Sequence, residues 1–208
     1  TKVVEKGSVD GLYMNTCGIG IVNNGINLCT SLIEIGDKII ISGTIGDHGM
    51  AVLSERESLG FTPSIKSDCA PLSGTIKKIL DSGAHIKFMR DPTRGGLATT
   101  LNEFVNTQKY GILIDEQTIP VNDGVRALCE ILGYESLYIA NEGKVVIVVS
   151  AHDADKVCEI LKDDSLGRDA AIIGEVVVEP KGKVCLKTLI GGTRVIDMLV
   201  GDQLPRIC

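Results

Sequence analysis

The stretch "HIKFMRDPTRGGLATTLNEFV", residues 85–105, decides the fold class because its hydrophobic period changes part-way along. Residues 85–89 read as a short strand. From Arg94 onward Leu97, Ala98, Leu101, Phe104 and Val105 recur at helical spacing. Between them lie Asp91, Pro92, Thr93 and the Gly95–Gly96 pair, the composition of a tight turn. A strand that passes directly into an amphipathic helix belongs to a layered fold in which helices cover a sheet.

The flanking segments extend the pattern. "DKIIISGT" reads as a buried strand running into a helix at "IGDHGMAVLSERE", and "LGFTPSIKSDCAPLSG" as a loop rich in breakers. "GTIKKILDSG" is predicted helical and "YGILID" a strand, while Val125, Leu128, Cys129 and Leu132 mark another helix. "KVVIVVS" is a continuous apolar strand, the signature of one covered on both faces. Asp153 is placed to cap a helix carrying Ala154, Val157, Cys158 and Leu161. "AAIIGEVVVE" and "KVCLKTL" follow as strands about a polar turn. Strands and helices interleave without a fixed repeat, which predicts an α+β protein, a mixed-sheet sandwich.

Composition narrows the function classes. The 208 residues carry a formal charge of −6 and 44% hydrophobic residues, enough for a substantial core. No sustained Lys/Arg cluster occurs, which argues against a nucleic-acid partner. No apolar run reaches the length of a membrane span and nothing resembles a signal peptide, so the expected location is cytoplasmic. The seven cysteines, at 17, 29, 69, 129, 158, 185 and 208, are odd in number and never in C-x-x-C spacing. The six internal ones read as small core hydrophobes. Cys208, at the end of "DQLPRIC", has no core to enter.

Three strings carry candidate chemistry, each with two readings. In "RDPTRGG", Asp91, Thr93 and Arg94 stand at a strand-to-helix turn that either receives an anion or is a capped turn. "SGTIGDHG" sets Asp47 and His48 at a helix start, where His48 either lines a groove or is a half-exposed cap. "NEGK" puts Asn141 and Glu142 before the most apolar strand. There a carboxylate is partly desolvated and suited to general-base work, unless this is an ordinary turn. His85 and His152 lie at element edges and are given no role.

Together "TKVVEKG", "SGTIGDHGMAVLS", "RDPTRGGLAT", "NEGK" and the terminal "PRIC" resemble the hydrogenase maturation factors of the PurM-like, AIR synthase-related family. The resemblance covers essentially the whole chain and keeps the motif order. It implies a PurM-like C-terminal domain over 31–200, preceded at 1–30 by the closing strands of a truncated N-terminal, ATP-binding domain. Residues 201–208 are expected to form a flexible tail. The opening without Met, read as strand, turn and strand, fits a chain lacking an N-terminal portion.

In that family the terminal cysteine takes a carbamoyl group from HypF. It is dehydrated with ATP to a thiocyanate, and the cyano group passes to iron through the HypC–HypD complex. The resemblance therefore makes Cys208 the carrier and assigns Glu142 and Lys2, with Lys6 as the alternative, to proton removal. ATP and Mg would be held mostly by the N-terminal domain, in a protein expected to be a homodimer. Asp47, His48, Asp91, Thr93, Arg94 and Asn141 are left as candidates for the groove or phosphate region. The alternatives are a non-catalytic thiol-carrier and docking module, or another PurM-like ligase or kinase. The tail suits a carrier: Gly201–Cys208 reaches about 25–29 Å when extended, with Gly201 as hinge and Pro205 as stiffener.

Overall fold

The computed structural model describes residues 17–57, 60, 64–106 and 108–201. The predicted opening strands within 1–16, Lys2, Lys6, and the tail from 202 to Cys208 lie outside the described residues. Residues 17–29 contain a turn at Asn24–Gly25 and no strand, and a short 3-10 helix follows at Thr30–Leu32.

At the centre of the fold are two apolar strands, β1 (Lys38–Ile41) and β4 (Val146–Val149), paired antiparallel with Ile41 opposite Val146. Their alternation sends side chains to opposite faces. On one face Ile39, Ile41, Val146 and Val148 meet Leu97, Leu101 and Phe104 of α3 (Gly96–Val105). On the other, Ile40, Ile147 and Val149 meet Ile79 of α2 (Ser73–Asp81) and Val157, Cys158 and Leu161 of α5 (Ala154–Lys162). The continuous apolar run is thus explained, since both faces of β4 are roofed by helices.

The remaining strands are β2 (Ile86–Arg90), β3 (Gly111–Asp115), β5 (Ala171–Val177), β6 (Val184–Lys187) and β7 (Thr193–Ile196). They complete one mixed sheet in the order β2-β4-β1-β5-β3-β6-β7, in which only β3 and β6 run parallel. A third cluster joins Met50 and Leu53 of α1 (Asp47–Arg56) to Val125, Leu128 and Cys129 of α4 (Asp123–Leu132) through Ile139. The described residues form seven strands and five α-helices, the α+β sandwich expected.

Several sequence expectations are corrected. β7 escapes the sequence reading because three of its four residues are exposed, which leaves no apolar alternation. Cys129, Cys158 and Cys185 are buried as expected, and burial pushes the Cys129 thiol up to about 11. Cys17, Cys29 and Cys69 are exposed, so the core reading fails for them. Asp153 precedes α5 but does not cap it. Its carboxylate instead accepts from the His85 backbone N–H (2.9 Å), the His85 ring (2.8 Å) and the Ser150 hydroxyl (2.8 Å).

These bonds, the His85 backbone N–H foremost, hold the Asp153 carboxyl well below the usual range. A depressed folded-state value contributes stability above the unfolded pKa, about 3.9, and loses it as pH falls toward the folded value. Asp153→Asn should therefore lower Tm by several degrees at pH 7. The gap to the parent protein should narrow progressively below about pH 4 in a pH series of thermal melts.

Candidate functional site

The candidate residues gather at one end of the sheet for a topological reason. β4 lies between β1 and β2 and is antiparallel to both, with Ile41 and Arg90 each opposite Val146. The ends of β1 and β2 therefore flank the start of β4, bringing together the loops at 42–46, 91–95 and 139–145. Asn141 joins all three. Fully buried, its amide oxygen accepts from the Gly46 N–H (2.8 Å), and its amide nitrogen donates to the carbonyls of Pro92 (2.9 Å) and Ile139 (3.0 Å).

Asn141 is therefore an internal tie rather than part of a groove surface. Asp47 is likewise turned inward. It is 4% exposed and accepts from the Thr44 hydroxyl and, at 2.5 Å, from the Asn122 amide. Both sequence candidates hold the site together from behind.

The residues beside them face outward. His48 and Glu142 approach with His48 Nε2 3.9 Å from Glu142 Oε1, their side chains 14% and 30% exposed. The other ring nitrogen, Nδ1, lies 2.9 Å from Ser67 Oγ and 3.7 Å from Cys69 Sγ. Asp68, between them in sequence, turns inward instead. Its Oδ1 accepts from the backbone N–H groups of Glu142 (3.1 Å) and Gly143 (3.5 Å). Its Oδ2 is buried without a hydrogen bond, 3.8 Å from Lys144 Nζ.

Gly143 is required by this contact. A Cβ there would stand 1.9 Å from the Asp68 carbonyl oxygen and 2.7 Å from the Ala70 nitrogen.

On the neighbouring turn the Thr93 hydroxyl donates to the Asp91 carboxylate, and neither side chain caps α3. Arg94 is exposed. Gly96 has φ +61°, and a Cβ there would lie 2.5 Å from the Leu137 carbonyl oxygen. The close approach that this glycine permits is made by backbone. Sequence reading missed Ser67, Asp68, Cys69 and Lys144. The only local signal was "SDC", three polar or reactive residues inside a loop of breakers. Among the described residues no group of three His, Cys, Asp or Glu side chains is arranged to hold a metal ion. His85, bound to Asp153, stays outside the site.

Residues 34–187 match the family described as AIR synthase related protein, C-terminal domain. The whole chain is 48% identical to a carbamoyl dehydratase HypE from Rhizobium leguminosarum bv. viciae and covers 60% of it. The chain thus spans about three-fifths of the curated relatives it matches. In a HypE–HypF complex structure the matching chain is 46% identical, with a TM-score of 0.80 over 85% of this chain and 57% of that one. A HypE structure in complex with ATP gives 0.82 at 38% identity, over 87% and 55%.

Replacing Asn141 by Ala strands the buried Gly46 N–H and the Ile139 carbonyl, while Pro92 keeps the bond from the backbone N–H of residue 141, at about 1–3 kcal/mol for each group left unsatisfied. Asn141→Ala should therefore lower the urea midpoint sharply and raise amide exchange at Gly46 and in the 91–95 turn. Asn141→Asp, which buries a carboxylate oxygen against the Pro92 and Ile139 carbonyls, should be destabilised at least as much at pH 7.

Proposed function

This chain belongs to the AIR synthase related protein family, and from that footing we propose that it serves hydrogenase maturation. In this reading it carries a carbamoyl group on Cys208 and dehydrates it, with ATP, to the thiocyanate that supplies cyanide for the active-site iron. The observation that carries the reading is the placing of Glu142. It is a partly open carboxylate on a turn clamped by Asp68, beside His48, at the end of the most buried strand. The likeness to HypE over the whole chain supports it.

The chemistry fits those groups. An amide oxygen is a poor leaving group, and ATP supplies the phosphoryl group that makes it a good one. Removal of protons from nitrogen then expels phosphate and closes the C≡N bond. Glu142 is the base at the nitrogen, and its fixed turn means little reorganisation accompanies proton transfer. Lys2 joins it by the resemblance alone. The described residues offer no metal cluster, so no Mg ligand is assigned to them.

Cys208 has no imidazole next to it in sequence to activate the thiol. The thiol therefore depends on an activated carbamoyl donor. We assign that role to HypF, in line with the HypE–HypF structure, and the acceptor role to HypC–HypD. The protein acts in the cytoplasm as a homodimer in this reading. Among the described residues no helix is long and apolar enough to cross a membrane. We read residues 1–30, whose described part 17–29 holds a turn and no strand, as the end of an ATP-binding domain, 31–200 as the domain described above and 201–208 as the carrier tail. A thiol-carrier and docking module without turnover of its own is the alternative reading.

Intact-mass analysis after incubation with HypF and carbamoyl phosphate tests this reading in a protein that also has the relatives' N-terminal region. Cys208→Ala should take up no carbamoyl group while melting normally. Glu142→Ala should load fully and then accumulate the carbamoyl adduct on adding ATP. Thiocyanate formation by that variant at the parent rate removes Glu142 from the mechanism.

A further inference from the structure

We propose that His48 is the proton outlet of Glu142, an extension that rests on reading Glu142 as the base. Stoichiometry creates the need. The carbamoyl nitrogen holds two protons and the thiocyanate nitrogen none. The first N–H bond breaks as the oxygen is phosphorylated, leaving a C=N–H unit. The second breaks as the C–O bond to phosphate breaks, and the nitrogen electron pair becomes the third C–N bond. A carboxylate that has taken the first proton cannot take the second until it is discharged.

The geometry supplies a route. His48 Nε2 stands 3.9 Å from Glu142 Oε1, and its Nδ1 is 2.9 Å from Ser67 Oγ on an exposed loop. Ser67 Oγ accepts from the Cys69 backbone N–H at 3.2 Å, and it also accepts the imidazole proton when that proton sits on Nδ1. In this tautomer the Nε2 lone pair faces Glu142 and is ready to receive its proton, while Nδ1–H passes the other proton to Ser67 and solvent. The 3.9 Å separation closes by a small side-chain rotation, as catalytic contacts commonly tighten once substrate binds.

The surroundings keep the ring on this task. The groups around it are Glu142 from the turn before β4, and Cys69 Sγ at 3.7 Å and Ser67 from the loop. Asp68 and Lys144 face each other at 3.8 Å, while Asp47 is occupied by Thr44 and Asn122. The outlet therefore has one donor, Glu142, and one exit, Ser67. His48 acts through Glu142 and is a positioning residue for proton flow.

The test follows thiocyanate and phosphate release by rapid quench. It uses a protein with the relatives' N-terminal region, loaded with carbamoyl at Cys208 and mixed with ATP. His48→Ala should lower kcat by about 10²-fold with KM for ATP unchanged, since general acid–base steps carry factors of that size. The imidazole accepts a proton only in its neutral form, so His48→Ala should change the acid side of the rate profile, which then depends on Glu142 alone. Added imidazole should restore the rate in proportion to its neutral form.

His48→Gln, which retains a polar planar group, checks the same loss should His48→Ala melt early. A folded His48 variant turning over at the parent rate overturns the proposal. So does a slow variant that imidazole fails to rescue and whose pH profile keeps the parent's shape. Glu142→Gln, run alongside, separates the two readings. If it is inactive while His48→Ala is normal, only the outlet falls; if Glu142→Gln turns over normally, both fall.

Discussion

The side-chain amide of Asn141 is where three distant parts of the chain converge, and its position is enforced by burial. It has no exposed surface, so every polar atom it carries must find a partner inside the protein. An asparagine offers two donors and an acceptor in one small rigid plane. Gly46, Pro92 and Ile139 supply the matching groups. Gly46 lies two residues before His48, and Asn141 immediately precedes Glu142. The separation between imidazole and carboxylate is therefore set by a buried amide, not by the contact between the two side chains.

The sheet makes that convergence possible. With β1 and β2 both antiparallel to β4, two strand ends and one strand start share an edge. Helices cover both faces, through the α3 cluster and the α2–α5 cluster. Backbone is left uncovered there chiefly at the strand ends. Polar chemistry has to be built there, where loops can present charged groups without breaking the core. Gly96 serves the same end: without a Cβ, the start of α3 lies directly against the backbone at Leu137–Ile139.

What was legible in the sequence follows from the range of the interaction concerned. Helical and strand periods are local, so α3, α4, α5, β1 and β4 could be placed from their own residues. β7 could not, because a strand with a single buried residue has no period. "GDHG" and "NEGK" were legible as turns beside buried strands, but which of their side chains turned inward was not. Asp47 and His48 are adjacent, and the difference lies in Thr44 and Asn122, the latter 75 residues away. The loop at 64–72 was the largest omission. Its link to the Glu142 turn spans 74 residues and leaves no trace in local spacing. The exposure of Cys69 has the same origin, since its neighbour Asp68 takes the inward place.

The Asp68–Lys144 pair shows what the site gives up for position. A carboxylate 2% exposed loses most of its hydration, and a cation at 3.8 Å without a hydrogen bond recovers only part of that loss. Apolar residues of similar volume would commonly be as stable or more so. They could not accept the backbone N–H groups of Glu142 and Gly143, which point at Asp68 Oδ1. One oxygen of Asp68 thus fixes the peptide that carries Glu142, and the other is left facing Lys144. Glu142 is consequently held by its main chain, which leaves its side chain free to move beside His48.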